Sequence, residues 1–577
     1  MPLKLPTESQ QMTHSARRAS ARLLVLLIFA ALPASHARAQ DTNAPAYKVA
    51  YRISMRQPSS HLFEVQVDVT DMKGVDHIDF QMPRWSPGRY AVFDFAKNVQ
   101  ETRATAYCPP GAMCKQVPMN VTRLDTQTWR VTGDFAPGMT PTLDSVSFTY
   151  KVFADDLSGT FSQLDQRHAN FNGGSVFVYV VGHKQDAAAL KVEAPSGWKV
   201  INGRSTRPEQ TEFQFPNYDE LIDTPTEVAP DFTVQTFDVA GKHFRVVVHS
   251  FGEEGGHRDD LVKAVERVVR TEVETMGAPE FEQYTFLFHF DPTSRRGDGM
   301  EHLNSTQIIE TGPLSDREIL QGATATAAHE FFHVWNVKRL RPVGLGPWDF
   351  TRPLVTQGLW IAEGFTNYYG KLSMRRAGLW DDEQLLKSYA GAIGGIENAP
   401  GSHLTSAVES SILAPFIDRG SSDQRTNMQN TLVSYYPKGE TLAVALDLLI
   451  RGRSKGHASL DEVMRQAYAE FYLKSPNDSY YLKGRGYTVD EFQRVASRVA
   501  GFDLSDFFRR HVYGTEPPPY DEALSYVGLR MTRTQEQRPA SANGSSAESR
   551  TFYRIEKDDK ASPEALALRE AWLKGSR

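Results

Sequence analysis

AAHEFFHVWN, residues 327–336, decides how the rest of the chain is read. Within it, His329-Glu330-Phe331-Phe332-His333 has the form H-E-x-x-H. On a helix, side chains four positions apart share a face, so both imidazoles can reach one metal ion. Glu330, one residue round, can then meet a water beside that ion. Helical context is the requirement, and the sequence supplies it: Ser315-Asp316-Arg317-Glu318 has the form of a capping box, and the run GATATAA (322–328) is small and helix-compatible. The bland alternative is two histidines and a glutamate that merely line a helix.

A second segment weakens that alternative. A catalytic zinc site takes three protein ligands and keeps an open position. Glu363, in GLWIAEGFTNYYG (358–370), is a ready third ligand. It sits among apolar residues, where an unpaired carboxylate is costly and calls for a cation. Two imidazoles and a carboxylate favour zinc over softer or harder metals.

Around this centre the chain changes character twice. From about Tyr47 to His249, short alternating segments such as HLFEVQVDV (61–69), DSVSFTYKVF (144–153), SVFVYVVG (175–182) and HFRVVVHS (243–250) predict an all-β region. Inside it, RWSPGRYAVFDFAKNV (84–99) predicts a corner packed by Trp85 and Tyr90, read as core. After Gly252 the periodicity turns helical, with a strand-like YTFLFHF (284–290), down to about His511. The stretch RTQEQRPASANGSSAES (533–549) has the composition of a flexible linker and precedes the helix-like SPEALALREAWLKG (562–575).

The 577-residue chain carries a net charge of −6, which supplies no basic field, so a nucleic-acid partner is not expected. At the N-terminus Arg17, Arg18 and Arg22 precede LLVLLIFAAL (23–32) and then Ala37-Arg38-Ala39. That order predicts a secretory signal peptide over 1–39, cut before Gln40. The mature protein is expected to be exported to the periplasm or beyond, with no stable membrane insertion. Cys108 and Cys114 are expected to form a small local disulfide, since export favours it.

Taken together, HEFFHVWNVKRLRP (329–342), LWIAEGFTNYYG (359–370), GDGMEHLNST (297–306) and PRWSPGRYAVFDFAKN (83–98) resemble the glycyl aminopeptidase family of gluzincin zinc metallopeptidases. The resemblance covers most of residues 45–525. It implies a multidomain α+β chain: an N-terminal β domain (40–250), a thermolysin-like catalytic domain (251–380), a helical domain completing the active site (381–520), and a linker and short tail (521–577). It implies one zinc ion on His329, His333 and Glu363, with Glu330 as general base. Gly299-Met300-Glu301-His302 resembles the edge-strand motif whose glutamate holds the α-amino group of a peptide substrate, and Tyr436, in YYPKGETLAVAL (435–446), resembles the tyrosine that stabilises the oxyanion. The implied activity is removal of small first residues, glycine or alanine. A zinc endopeptidase of the same fold and a non-catalytic peptide-binding protein are the alternatives.

Three smaller expectations follow. A PDZ-like module that many members carry after the segment matching PPYDEALSYVGLRM (518–531) is expected to be missing. Asn367 stands where some gluzincins have a carboxylate that orients a zinc-bound histidine. Lys338, Arg339 and Arg341 are read chiefly as cations serving the end of the motif helix.

Overall fold

The structure, a computed structural model, describes residues 46–575 except 108–115, 134–142, 208, 424, 477–482 and 539–547. The expected leader and both cysteines lie outside the described residues.

Alternation builds the N-terminal region. Along Leu62–Val75 the side chains of Phe63, Val65, Val67 and Val69 are buried while Glu64, Gln66 and Asp68 are not, the period of two that a half-buried strand requires. Each such side chain removed from water contributes about 1.5–3 kcal/mol. This strand pairs antiparallel with Lys48–Ser54 on one side and Leu143–Phe153 on the other, at the heart of a ten-stranded sheet. A four-stranded sheet contains Ala169–Phe171 and Thr226–Ala229. SVFVYVVG departs from its expected strand: Gly173–Val176 forms one helical turn, and only Tyr179–Val180 pairs. All eight of its residues but Gly182 and Val181 being buried, the run is apolar without needing to alternate.

A five-stranded mixed sheet follows, in the order Thr233–Val239, Lys242–Ser250, Gln283–Phe290, Ser305–Glu310, Asp298–Glu301. Its three central strands are parallel, the helix Arg258–Met276 making the crossover, and Asp298–Glu301 is an antiparallel edge. Thr233–Val239 and Lys242–Ser250, read with the N-terminal β region, thus join the five-stranded sheet. Thr233–Val239 pairs with Lys242–Ser250, which is buried without a break from Phe244 to His249 and pairs in turn with Gln283–Phe290 in this sheet.

The C-terminal region is helical. Gly364–Arg376 and Tyr435–Arg453 cross at glycines: a Cβ on Gly364 would lie 2.3 Å from Gly439 Cα, and one on Gly439 would lie 1.9 Å from Trp360 O. Only hydrogen fits at either position. Among the described residues no helix is long and apolar enough to cross a membrane.

The expected linker is corrected in part. Leu529–Arg538 and Glu548–Lys557 form an antiparallel hairpin, and Asn398 exchanges hydrogen bonds with the backbone of Thr551 at 2.8 and 2.9 Å. The helix Pro563–Lys574 buries Trp572, whose indole N–H donates to Tyr368 at 2.8 Å. Polar strands such as these carry a weak sequence signal because most of their side chains meet solvent.

Candidate metal centre

His329 lies in the last turn of the helix Arg317–Phe332, and His333 closes it as C-cap with near-helical angles. The N-terminal cap differs by one residue from expectation. Asp316, not Ser315, accepts from Glu318 N–H at 2.8 Å. The rings of His329 and His333 meet with centroids 4.7 Å apart, and their Nε2 atoms are 3.0 Å apart. Glu363, between the turn Leu359–Ala362 and the helix Gly364–Arg376, places Oε2 3.5 Å from His329 Nε2 and 3.3 Å from His333 Nε2.

These spacings discriminate between roles. His333 Nδ1 lies 2.8 Å from the Asn336 carbonyl, so that nitrogen carries the hydrogen and Nε2 presents a lone pair inward. A lone pair and a carboxylate oxygen converging in a buried site need a cation between them. Ligands at about 2.0–2.1 Å from a tetrahedral ion stand about 3.3 Å apart, which the separations of 3.0–3.5 Å match. Two nitrogens and one oxygen fit zinc. Burial acts first to raise the Glu363 carboxyl, but His333 and His329 outweigh it and hold the group well below the usual carboxylate range.

Two supports escaped sequence reading. The Tyr90 hydroxyl donates to Glu363 Oε1 at 2.5 Å, so the corner read as plain core orients the third ligand. Trp85 anchors that corner by donating to the carbonyls of Asp349 and Arg352, and Arg89 binds Asp298 at 2.5 Å. Asn336 is the other. Its side-chain amide donates to the carbonyls of Ile361 and Ala362 at 2.9 and 3.2 Å, tying the end of the motif helix to the segment that carries Glu363. The orienting contact for His333 belongs to the Asn336 carbonyl and not to Asn367. The only hint in sequence was the position of Asn336, one helical turn past His333.

Tyr90→Phe is expected to weaken metal binding about 10–100-fold, as removal of such outer hydrogen bonds does. Chelator competition measures it, and unchanged affinity would free Tyr90 of this role.

Glu330, Glu301 and His333 form a second convergence, their side-chain donor atoms within 4.8 Å of one another. Gly299 explains how this fits. A Cβ there would stand 2.2 Å from Glu330 Oε1, so glycine lets the carboxylate pass under the edge strand. Burial raises the Glu330 carboxyl well above the usual range, with Glu301 and Glu363 adding to the rise and His333 opposing it. Met300, between them, is buried. Tyr436 brings its ring within 6.3 Å of the His329 ring, nearly parallel, and the Gly364–Gly439 crossing holds it there. Burial, then Glu363 and Asp418, pushes its phenol well above its ordinary value, so it stays a donor. The cations past the motif helix are structural: Lys338 pairs with Asp223 at 3.1 Å, and Arg339 and Arg341 donate to backbone carbonyls.

Residues 50–230 match the family described as the peptidase M61 N-terminal domain, and residues 323–442 match the M61 glycyl aminopeptidase description. Among solved structures the chain is similar to an aminopeptidase N family protein from Idiomarina loihiensis, with 26% identity over 86% of this chain and 80% of that one, at a TM-score of 0.74. An M1 zinc metallopeptidase from Deinococcus radiodurans aligns at 14% identity over 82% and 95% of the respective chains, with a TM-score of 0.48. No curated protein matches the chain.

Proposed function

We infer that this chain, which belongs to the M61 glycyl aminopeptidase family, is an exported zinc aminopeptidase that removes small N-terminal residues, glycine or alanine, from peptides. The catalytic unit is taken as thermolysin-like, the mixed sheet carrying the edge strand and the motif helix packing beneath it. The observation that carries the aminopeptidase reading is Glu301: a buried carboxylate at the end of the edge strand, within 4.8 Å of Glu330 and His333 groups. A carboxylate at that place selects a cationic amino terminus. The unpaired side of Asp298–Glu301 can align a peptide backbone as an added strand. Glu301 also borders a recess of about 30 Å³ walled by Trp85, Gly88, Tyr90 and Trp348, which leaves room for no more than a small first side chain.

When bound by His329, His333 and Glu363, zinc supplies Lewis acidity, polarising the scissile carbonyl and acidifying a water. Glu330 takes the proton of the attacking water and returns it to the leaving amine. Tyr436 donates to the oxygen on which negative charge develops. Glu301 holds the substrate ammonium, which fixes the first peptide bond over Glu330 and confines cleavage to it.

The test compares substrates. Glu301→Ala is expected to lower kcat/KM on a free aminoacyl anilide about 10²-fold, in the range of a lost charged hydrogen-bonded pair, and to leave an N-blocked peptide little changed. Equal losses on both would favour the endopeptidase.

A further inference from the structure

Away from the metal centre, four ionisable side chains from two sheets meet at one point. His168 and Glu227 come from the four-stranded sheet, His168 just before Ala169–Phe171 and Glu227 within Thr226–Ala229. His249 and His289 are register partners on adjacent parallel strands of the five-stranded sheet. None is more than 2% exposed. His168 Nδ1 and His249 Nδ1 lie 2.9 and 2.6 Å from Glu227 Oε1, and His289 Nε2 lies 2.8 Å from Oε2.

The outer nitrogens decide what the inner ones can do. His168 Nε2 faces Gln163 Oε1 at 2.9 Å, the amide being oriented by its nitrogen toward Asp155. His249 Nε2 faces Asp231 Oδ1 at 3.2 Å. Both outer partners accept, so both outer nitrogens carry the hydrogen. A neutral imidazole has only one. The inner nitrogens of His168 and His249 then point lone pairs at a carboxylate, which is repulsive unless each ring takes a second proton or a cation stands among them. Two imidazolium rings with centroids 5.2 Å apart in a buried site oppose each other, even though burial, which lowers the His249 ring, is outweighed by Glu227 and Asp231, which raise it above its ordinary value. One cation among them satisfies the three inner nitrogens and the carboxylate, whose ligand atoms all lie within 4.8 Å of one another, and leaves only His289 Nδ1 buried without a hydrogen-bond partner.

We propose that His168, His249, His289 and Glu227 hold a second divalent transition-metal ion of the zinc class. Three imidazoles and one carboxylate suit that class. Four protein ligands close the coordination sphere, which marks a structural site and not a catalytic one. Outer support is already in place: Asn170 donates to Glu227 Oε2 at 3.0 Å and accepts from Gln307 at 2.8 Å. The ion would staple the four-stranded sheet to the five-stranded one, fixing the region that supplies Tyr90 against the sheet that supplies Glu301.

The experiment counts metal in two full-length proteins, the unaltered chain and a His329→Ala/His333→Ala variant, each refolded with excess Zn2+ and freed of loose metal by gel filtration. About two equivalents in the first and one in the second are expected. Co2+ in place of Zn2+ in the second should give the visible absorption of a four-coordinate site, and adding His249→Ala should abolish it. A double variant that is folded by circular dichroism yet holds no metal overturns the proposal and assigns the cluster to protons. That count decides even if the His249→Ala protein fails to fold.

Discussion

Glu330→Gln is expected to lower kcat about 10²–10⁴-fold on any peptide substrate while the protein keeps its zinc. The amide matches the carboxylate in shape, so it still passes beneath Gly299, where a Cβ would come within 2.2 Å of the glutamate oxygen. His329, His333 and Glu363 are untouched, so the three donors remain. What is lost is the lone pair that takes a proton from water. Steady-state kinetics together with metal analysis check this. Loss of zinc from the variant would mean that Glu330 holds the site together, and undiminished turnover would remove it from catalysis.

Glu363→Ala is expected to have an effect as large by another route. Two imidazoles remain, and the metal loses one of its three protein ligands. Without bound zinc the Lewis-acid contribution of several kcal/mol disappears, a loss of about 10³-fold or more in rate. The Tyr90 hydroxyl is left buried without its acceptor, which costs about 1–3 kcal/mol of stability. Dialysed protein should therefore hold about one zinc equivalent less than the unaltered chain and should unfold at lower denaturant. Added Zn2+ should restore little activity. Full zinc occupancy after dialysis would show that the third ligand is another group.

Local patterns were legible in the sequence; partnerships across hundreds of residues were not. His329, Glu330 and His333 could be read because a helix converts a spacing of four into a shared face. Glu363 could be read because a carboxylate in apolar surroundings calls for a cation. Tyr90 could not: its partner is 273 positions away, and an aromatic ring beside Pro87-Gly88 looks the same whether its hydroxyl is idle or bound. His168, Glu227, His249 and His289 were invisible for a related reason, since they share no spacing and meet only because two sheets abut. Residues 233–250 are strands as expected, yet strand character does not say which sheet a strand will join. Asn336 gave no more than its position one helical turn past His333, because a backbone carbonyl that orients an imidazole leaves no mark on residue type.

The Pro87–Tyr90 corner has a practical consequence for anyone recombining such chains. A cut near residue 230 respects the sheets but separates Tyr90 from Glu363, the phenol going with one piece and the carboxylate with the other. Chimaeras that exchange the front half for that of a distant relative must therefore bring a corner of matching reach, or the third ligand will be left without its guide.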